Sequence, residues 1–310
     1  MAARYDAVML IGFGGPENMD EVRPFLQRVL AGRPVPPARF QDVVHHYEVI
    51  GGRSPLGEYT RRQASALQAS LARTGPALPV LIGMRNSAPF LRDTLQQLHE
   101  RGCRRVLGVI MAAHESPASH GRYRESTAEA LSALGSAAPE LDYSASFHDH
   151  PGFVAANVAH IQSALERLPE AEREGALLVS TAHSIPESSA NGSPYVAQLE
   201  LNAAQVAGAL GRSVYKIAYQ SRSGSPRDPW LGPDVNDVLR DEAANGVRAV
   251  VLSPIGFVCD HVEVLYDLDV EAAETARSLG LALVRAQAPN DHPAFIEAIA
   301  DRVRAACNGG

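Results

Sequence analysis

The sequence predicts an α/β protein of two lobes, each a parallel sheet flanked by helices, and three observations predict it. Short, unbroken apolar runs recur along the chain, amphipathic segments of helical length lie between them, and the same rhythm fills both halves. Runs without polar alternation suit strands buried on both faces. A repeated strand–helix–strand order implies right-handed crossovers and a doubly wound sheet.

In chain order, the first half offers strands at residues 7–13 (AVMLIGF), 79–84 (PVLIGM), 106–112 (VLGVIMA) and 141–147 (LDYSASF). The second offers 176–182 (ALLVSTA), 214–219 (VYKIAY), 249–254 (AVVLSP) and 281–285 (LALVR). Helical periodicity is clearest over residues 58–71, 88–101 and 193–210. The break is placed where His148-Asp149-His150-Pro151 precedes a new helix, which gives Rossmann-like lobes at 1–147 and 148–310. In such folds ligands sit beyond the carboxyl ends of the strands, so function is sought just after each run.

Length and composition restrict the alternatives. A chain of 310 residues holds two ordinary domains, and 45% hydrophobic with 20% charged residues is ordinary for a globular protein. The three cysteines, Cys103, Cys259 and Cys307, form no CxxC pair, so neither a disulfide framework nor a cysteine metal motif is expected. The N-terminal apolar run ends in glycines and reads as a strand, not a signal peptide. No apolar stretch approaches the roughly 18 residues of a spanning helix. A reducing cytoplasmic setting is expected. The formal net charge of -7, with scattered basic residues, argues against nucleic acid.

Two segments after strands hold residue types suited to metal and proton chemistry. His183 follows the run at 176–182, where a rigid strand can present an imidazole of near-neutral pKa. After the run at 249–254, Gly256 opens a turn and Asp260 is a candidate N-cap. Glu263, Asp267 and Glu271 then fall at i, i+4 and i+8, one stripe of an α-helix. Residue types alone fit two readings: a strand-end histidine and a solvated acidic face, or an imidazole and carboxylates serving a divalent first-row metal. Gly12-Phe13-Gly14-Gly15-Pro16-Glu17 resembles a dinucleotide fingerprint until Glu17, whose charge would repel a pyrophosphate. Those glycines are expected to admit a flat ligand, with Phe13 offering a face. Trp230, in a proline-rich turn, is a suitable wall for the same ligand.

Six ordered segments then resemble the ferrochelatase family: Gly12-Phe13-Gly14-Gly15-Pro16; Tyr47-Glu48-x-Ile50-Gly51-Gly52-x-Ser54-Pro55-Leu56; Ala182-His183-Ser184-Ile185-Pro186; Ser193-Pro194-Tyr195; Asp228-Pro229-Trp230-Leu231-Gly232-Pro233; and Gly256-Phe257-Val258-x-Asp260-His261-x-Glu263-Val264-Leu265-Tyr266-Asp267. The resemblance implies a chelatase-like fold, two lobes around a porphyrin cleft, and insertion of Fe²⁺ into coproporphyrin III or protoporphyrin IX in haem biosynthesis. It makes His183 and Glu263 the catalytic pair. With Asp267 and Glu271 they form the metal-facing set, and Phe13, Tyr47, Ser54 and Tyr123, beside Trp230, contact the porphyrin. Iron is then a substrate, no resident cofactor or [2Fe-2S] centre is expected, and the chain is expected to act as a monomer. Departures concern the propionate anchors: Leu30-Ala31 stand where some relatives have paired arginines, His46 replaces a frequent arginine, and Arg28 and Arg33 lie nearby. The nearest alternative among enzymes is a cobalt or nickel tetrapyrrole chelatase, and the alternative from another class is a non-catalytic haem- or tetrapyrrole-binding protein.

Overall fold

The computed structural model describes residues 4–31, 36–223 and 227–309; Arg33 lies outside them. Two four-stranded parallel sheets form the frame. The first has the order β2-β1-β3-β4, with β1 Ala7–Gly12, β2 Val80–Met84, β3 Arg105–Ile110 and β4 Glu140–Tyr143. The second has the order β6-β5-β7-β8, with β5 Leu177–His183, β6 Tyr215–Gln220, β7 Ala249–Ser253 and β8 Ala282–Arg285. The central strands β1 and β7 are buried at every residue, as continuous apolar runs between two helical layers must be. The edge strand β4 is shorter than the apolar run from which it was read. Its polar positions face solvent, and the chain leaves the sheet at Ser144 so that Phe147 can enter the core.

Contacts divide the chain into two compact units. The first holds residues up to Ala112, then Ser119–Phe147 and the chain from Phe295 onward; the second holds Ala113–Ala118 and His148–Ala294. The C-terminal helix Pro293–Asn308 therefore departs from the expected span of 148–310. Its apolar stripe explains why. Phe295 is fully buried and meets Phe147 edge-on, ring centroids 5.2 Å apart, and Glu297 accepts a 2.6 Å hydrogen bond from Ser70. Ala113–Ala118 joins the second unit because the Glu115 amide donates to Gln198 at 2.7 Å. No helix among the described residues is long and apolar enough to cross a membrane.

Candidate active site

In the second unit three neighbouring strands end together. His183 closes β5 and pairs in register with Gln220, the last residue of β6. From β7 the chain turns through Gly256, whose amide donates to the Thr181 carbonyl at 3.0 Å. A Cβ on Gly256 would lie 2.6 Å from the Ala182 Cα, so only glycine lets this turn reach the strand that carries His183.

The turn delivers a short helix, Val262–Tyr266, that continues as a π-helix over Asp267–Ala272 and returns to α over Ala273–Ser278. The single α-helix implied by the i, i+4, i+8 spacing is thus interrupted. Asp260 is not the N-cap; His261 occupies that position. The Asp260 carboxylate is drawn the other way, to Arg285 at 2.9 Å and to the Asn290 amide at 3.0 Å.

Protonation is set by these placements. The His183 Nδ1 lies 2.5 Å from the Ser184 carbonyl, which can only accept, so Nδ1 carries the hydrogen and Nε2 keeps its lone pair. Burial drives the His183 pKa below the ordinary imidazole value, against the pull of the Glu263 charge, and the ring is neutral near pH 7. Burial would raise Glu263, but His261, with Nδ1 2.6 Å from its carboxylate, and His183 outweigh it and hold Glu263 down at about 2. Asp267 goes the opposite way. Burial, with the charges of Glu263 and Glu271, outweighs its hydrogen bonds and raises it to about 7. Ser221 donates to its carboxylate and Gln220 Nε2 reaches it at 3.4 Å, while also donating to the Glu263 carbonyl at 2.8 Å. Ser221 has φ +63°, a left-handed conformation uncommon outside glycine, which sites of function often retain.

The structure thus brings His183, Glu263 and Asp267 into one electrostatic group and leaves Glu271 at the exposed end of the ladder. Among the described residues, no group of three or more His, Cys, Asp or Glu side chains is gathered so as to hold a metal ion, and the four predicted residues do not form such a group. Trp230 is laced to the loop after His183: the Glu187 amide donates to the Pro229 carbonyl and the Leu231 amide to the Ile185 carbonyl, both at 3.0 Å, and the Ser184 hydroxyl donates to the Leu231 carbonyl at 2.7 Å. Tyr195 donates to the His183 carbonyl at 2.8 Å. Sequence reasoning missed Gln220, Ser221 and the part played by His261. The first two come directly after the run at 214–219, where the strand-end rule already pointed.

The remaining predicted residues lie in the first unit. Phe13 comes after β1, is half-buried, and meets Phe25 edge-on at 6.1 Å; Phe25 in turn meets Tyr47 at 6.4 Å. The Arg85 guanidinium lies 5.9 Å from the Phe13 ring centroid and 5.8 Å from that of Tyr123, with Nε bonded to Ser126 at 2.9 Å. Tyr47, Ser54 and Tyr123 are all buried within this unit. Gly14 and Gly15 are not spare room for a ligand: a Cβ on Gly14 would meet the Ser87 hydroxyl at 2.5 Å, and one on Gly15 the Ser54 Cβ at 2.8 Å. Glu17, the residue that broke the nucleotide fingerprint, is paired with Arg61. Arg28 is engaged too, donating from Nε to the Asn86 carbonyl at 2.7 Å.

The family model described as Ferrochelatase matches residues 5–307. The coproporphyrin III ferrochelatase of Streptomyces coelicolor is 42% identical, over 97% of this chain and 85% of its own length. That of Mycolicibacterium smegmatis is 41% identical, over 96% of this chain and 89% of its own. Among solved structures, SirB from Bacillus subtilis with Fe3+ has a TM-score of 0.60 at 12% identity, covering 97% of this chain and 95% of that one, a likeness of fold. With a family model spanning nearly its whole length and relatives this similar, the chain belongs to the ferrochelatase family.

Proposed function

We propose that this chain inserts ferrous iron into a porphyrin in haem biosynthesis, with coproporphyrin III as the substrate and a lyase-type metal chelation as the reaction. What carries it is membership of the ferrochelatase family; the placement of His183, its Nδ1 2.5 Å from the Ser184 carbonyl and its pKa lowered by burial beside a low-pKa Glu263, supports it. A free-base porphyrin must lose two pyrrole protons as the metal enters. His183, with a free lone pair on Nε2, accepts a proton; Glu263, charged across the neutral range, attracts the cation and stabilises the imidazolium that forms. Asp267, protonated about half the time near pH 7, is suited to pass protons toward Glu271 and solvent. In this reading Phe13, Tyr47, Ser54, Tyr123 and Trp230 hold the macrocycle. The names borne by the curated relatives favour coproporphyrin III over protoporphyrin IX.

The reading includes a cytoplasmic monomer with no resident cofactor. Cys103, Cys259 and Cys307 all have thiols pushed up by burial, which disfavours the thiolates an iron–sulfur centre needs.

The test adds Fe²⁺ anaerobically to the protein with each free porphyrin and records the visible spectrum over time. Many turnovers per protein, faster with coproporphyrin III, are expected. Stoichiometric binding without turnover would make the chain a tetrapyrrole-binding protein, and faster turnover of protoporphyrin IX would overturn the substrate assignment.

A further inference from the structure

The turn that carries Glu263 and Asp267 is held from its outer side by a residue that no motif singled out. Arg285 is the last residue of β8, paired with Leu252 of β7. Its Nε donates to Asp269 Oδ1 at 2.6 Å and its Nη2 to Asp269 Oδ2 at 2.8 Å, a bidentate pair. Nη1 donates to Asp260 Oδ1 at 2.9 Å and to the Ala286 carbonyl at 3.1 Å. The arginine side chain is 11% exposed and that of Asp260 6%. Asp260 is fixed further by the Ala288 amide at 3.3 Å and by Asn290, which both donates to it at 3.0 Å and accepts from its amide at 2.8 Å.

These two carboxylates bracket the working segment. Asp260 precedes His261 and Glu263; Asp269 lies inside the π-helical stretch, two residues beyond Asp267. On the other side Ser221 and Gln220 hold Asp267. A π turn closes its hydrogen bonds one residue later than an α turn and is rare, so it needs tertiary contacts to persist. Each residue of an α-helix advances the side chain by about 100°, so reversion to α re-aims every side chain beyond that point.

We infer that Arg285 is a positioning residue: its bridge from Asp260 to Asp269 pins both sides of the segment that carries Glu263 and Asp267, keeps residues 267–272 in π register, and so sets how those two carboxylates are presented to the incoming metal. The inference rests on the iron-insertion reading for its consequence, and on geometry alone for the clamp. A lysine at 285 would keep the charge but not the planar fork that joins two carboxylates.

Two variants of the full chain test it. Asp269→Asn removes one arm while leaving the Arg285–Asp260 arm in place, and Arg285→Lys removes the fork. In both, amide hydrogen exchange in peptides covering residues 267–272 is expected to speed up relative to peptides from β1 and β3. The kcat for Fe²⁺ insertion is expected to fall roughly 10- to 100-fold, as for groups that orient a metal-facing side chain. The affinity for free porphyrin, read by fluorescence titration, is expected to stay unchanged. Unchanged exchange at 267–272, a wild-type kcat in either variant, or a kcat loss matched by loss of porphyrin affinity would overturn the positioning role. Failure of the wild-type chain to insert iron would sink the proposed function instead, and the exchange measurement would still decide whether Arg285 holds the turn.

Discussion

Burial drives His183 and Asp267 alike toward their neutral forms, which means opposite things for the two residues: the imidazole gives up its proton and the carboxyl keeps one. Glu263, coupled electrostatically to both, stays charged chiefly through His261, whose Nδ1 lies 2.6 Å from its carboxylate. Two carboxyl groups pushed apart, Glu263 down and Asp267 up, with a neutral imidazole beside them are an acid–base arrangement, and the Asp267 shift makes it measurable. In the unfolded chain Asp267 has an ordinary carboxyl pKa near 3.8; in the folded chain it is raised to about 7. Above pH 7 the folded state carries a buried charge that the unfolded state carries in water, so this group costs stability there. As pH falls from 7 toward 4 the folded state takes the proton first and the cost is relieved. Asp267→Asn is therefore expected to stabilise the protein at pH 8 by on the order of 2 kcal/mol, with the gain vanishing near pH 4. Urea unfolding at both pH values checks this, and an equal effect at pH 8 and pH 4 would contradict it. Of these protonation states only the presence of a histidine and a stripe of carboxylates was legible beforehand. The direction of each shift depends on neighbours from other strands, such as Ser221 and Gln220, that no local spacing reveals.

Strand ends and turns, not the strands themselves, place the chemistry. The eight apolar runs read from sequence lie at the eight strands of the described residues; the central strands β1 and β7 are the clearest case, buried at every residue and so apolar nearly throughout. Their ends were less legible: the run at 141–147 continues past the edge of the sheet because Phe147 serves the core, not β4. The segment after β7 shows a deeper limit. Carboxylates four residues apart read as α-helical, but α and π turns share that spacing closely, and the choice between them rests on contacts such as Arg285 to Asp269. Gly256 is the tightest of these placements. Gly256→Ala would press a methyl into the backbone of Ala182, and the cost of such overpacking is about 1–3 kcal/mol. The urea midpoint should fall accordingly and iron insertion with it, since the displaced strand end carries His183. A change within about 0.5 kcal/mol, the range of ordinary surface substitutions, would show that this approach is not a constraint.

At the scale of the molecule, the repeated alternation of apolar runs and helical segments made two parallel sheets legible, and the six family segments made the chemistry legible with them. The division of the chain was read less well. The C-terminal helix comes after β8 in sequence but buries Phe295 against Phe147 in the first unit, a long-range pairing that periodicity cannot encode. The functional group of the second unit nevertheless gathers on the carboxyl ends of β5, β6 and β7, where a doubly wound sheet presents its ligands. The central claim is that a neutral His183 beside an anionic Glu263 takes the pyrrole proton as iron enters. The measurement that tests it most directly is the initial rate of anaerobic Fe²⁺ insertion into coproporphyrin III by His183→Ala at saturating porphyrin. The rate is expected to fall by about 100-fold or more, in the range typical of a lost general base, while porphyrin binding is retained. A rate equal to that of the unaltered protein would contradict it.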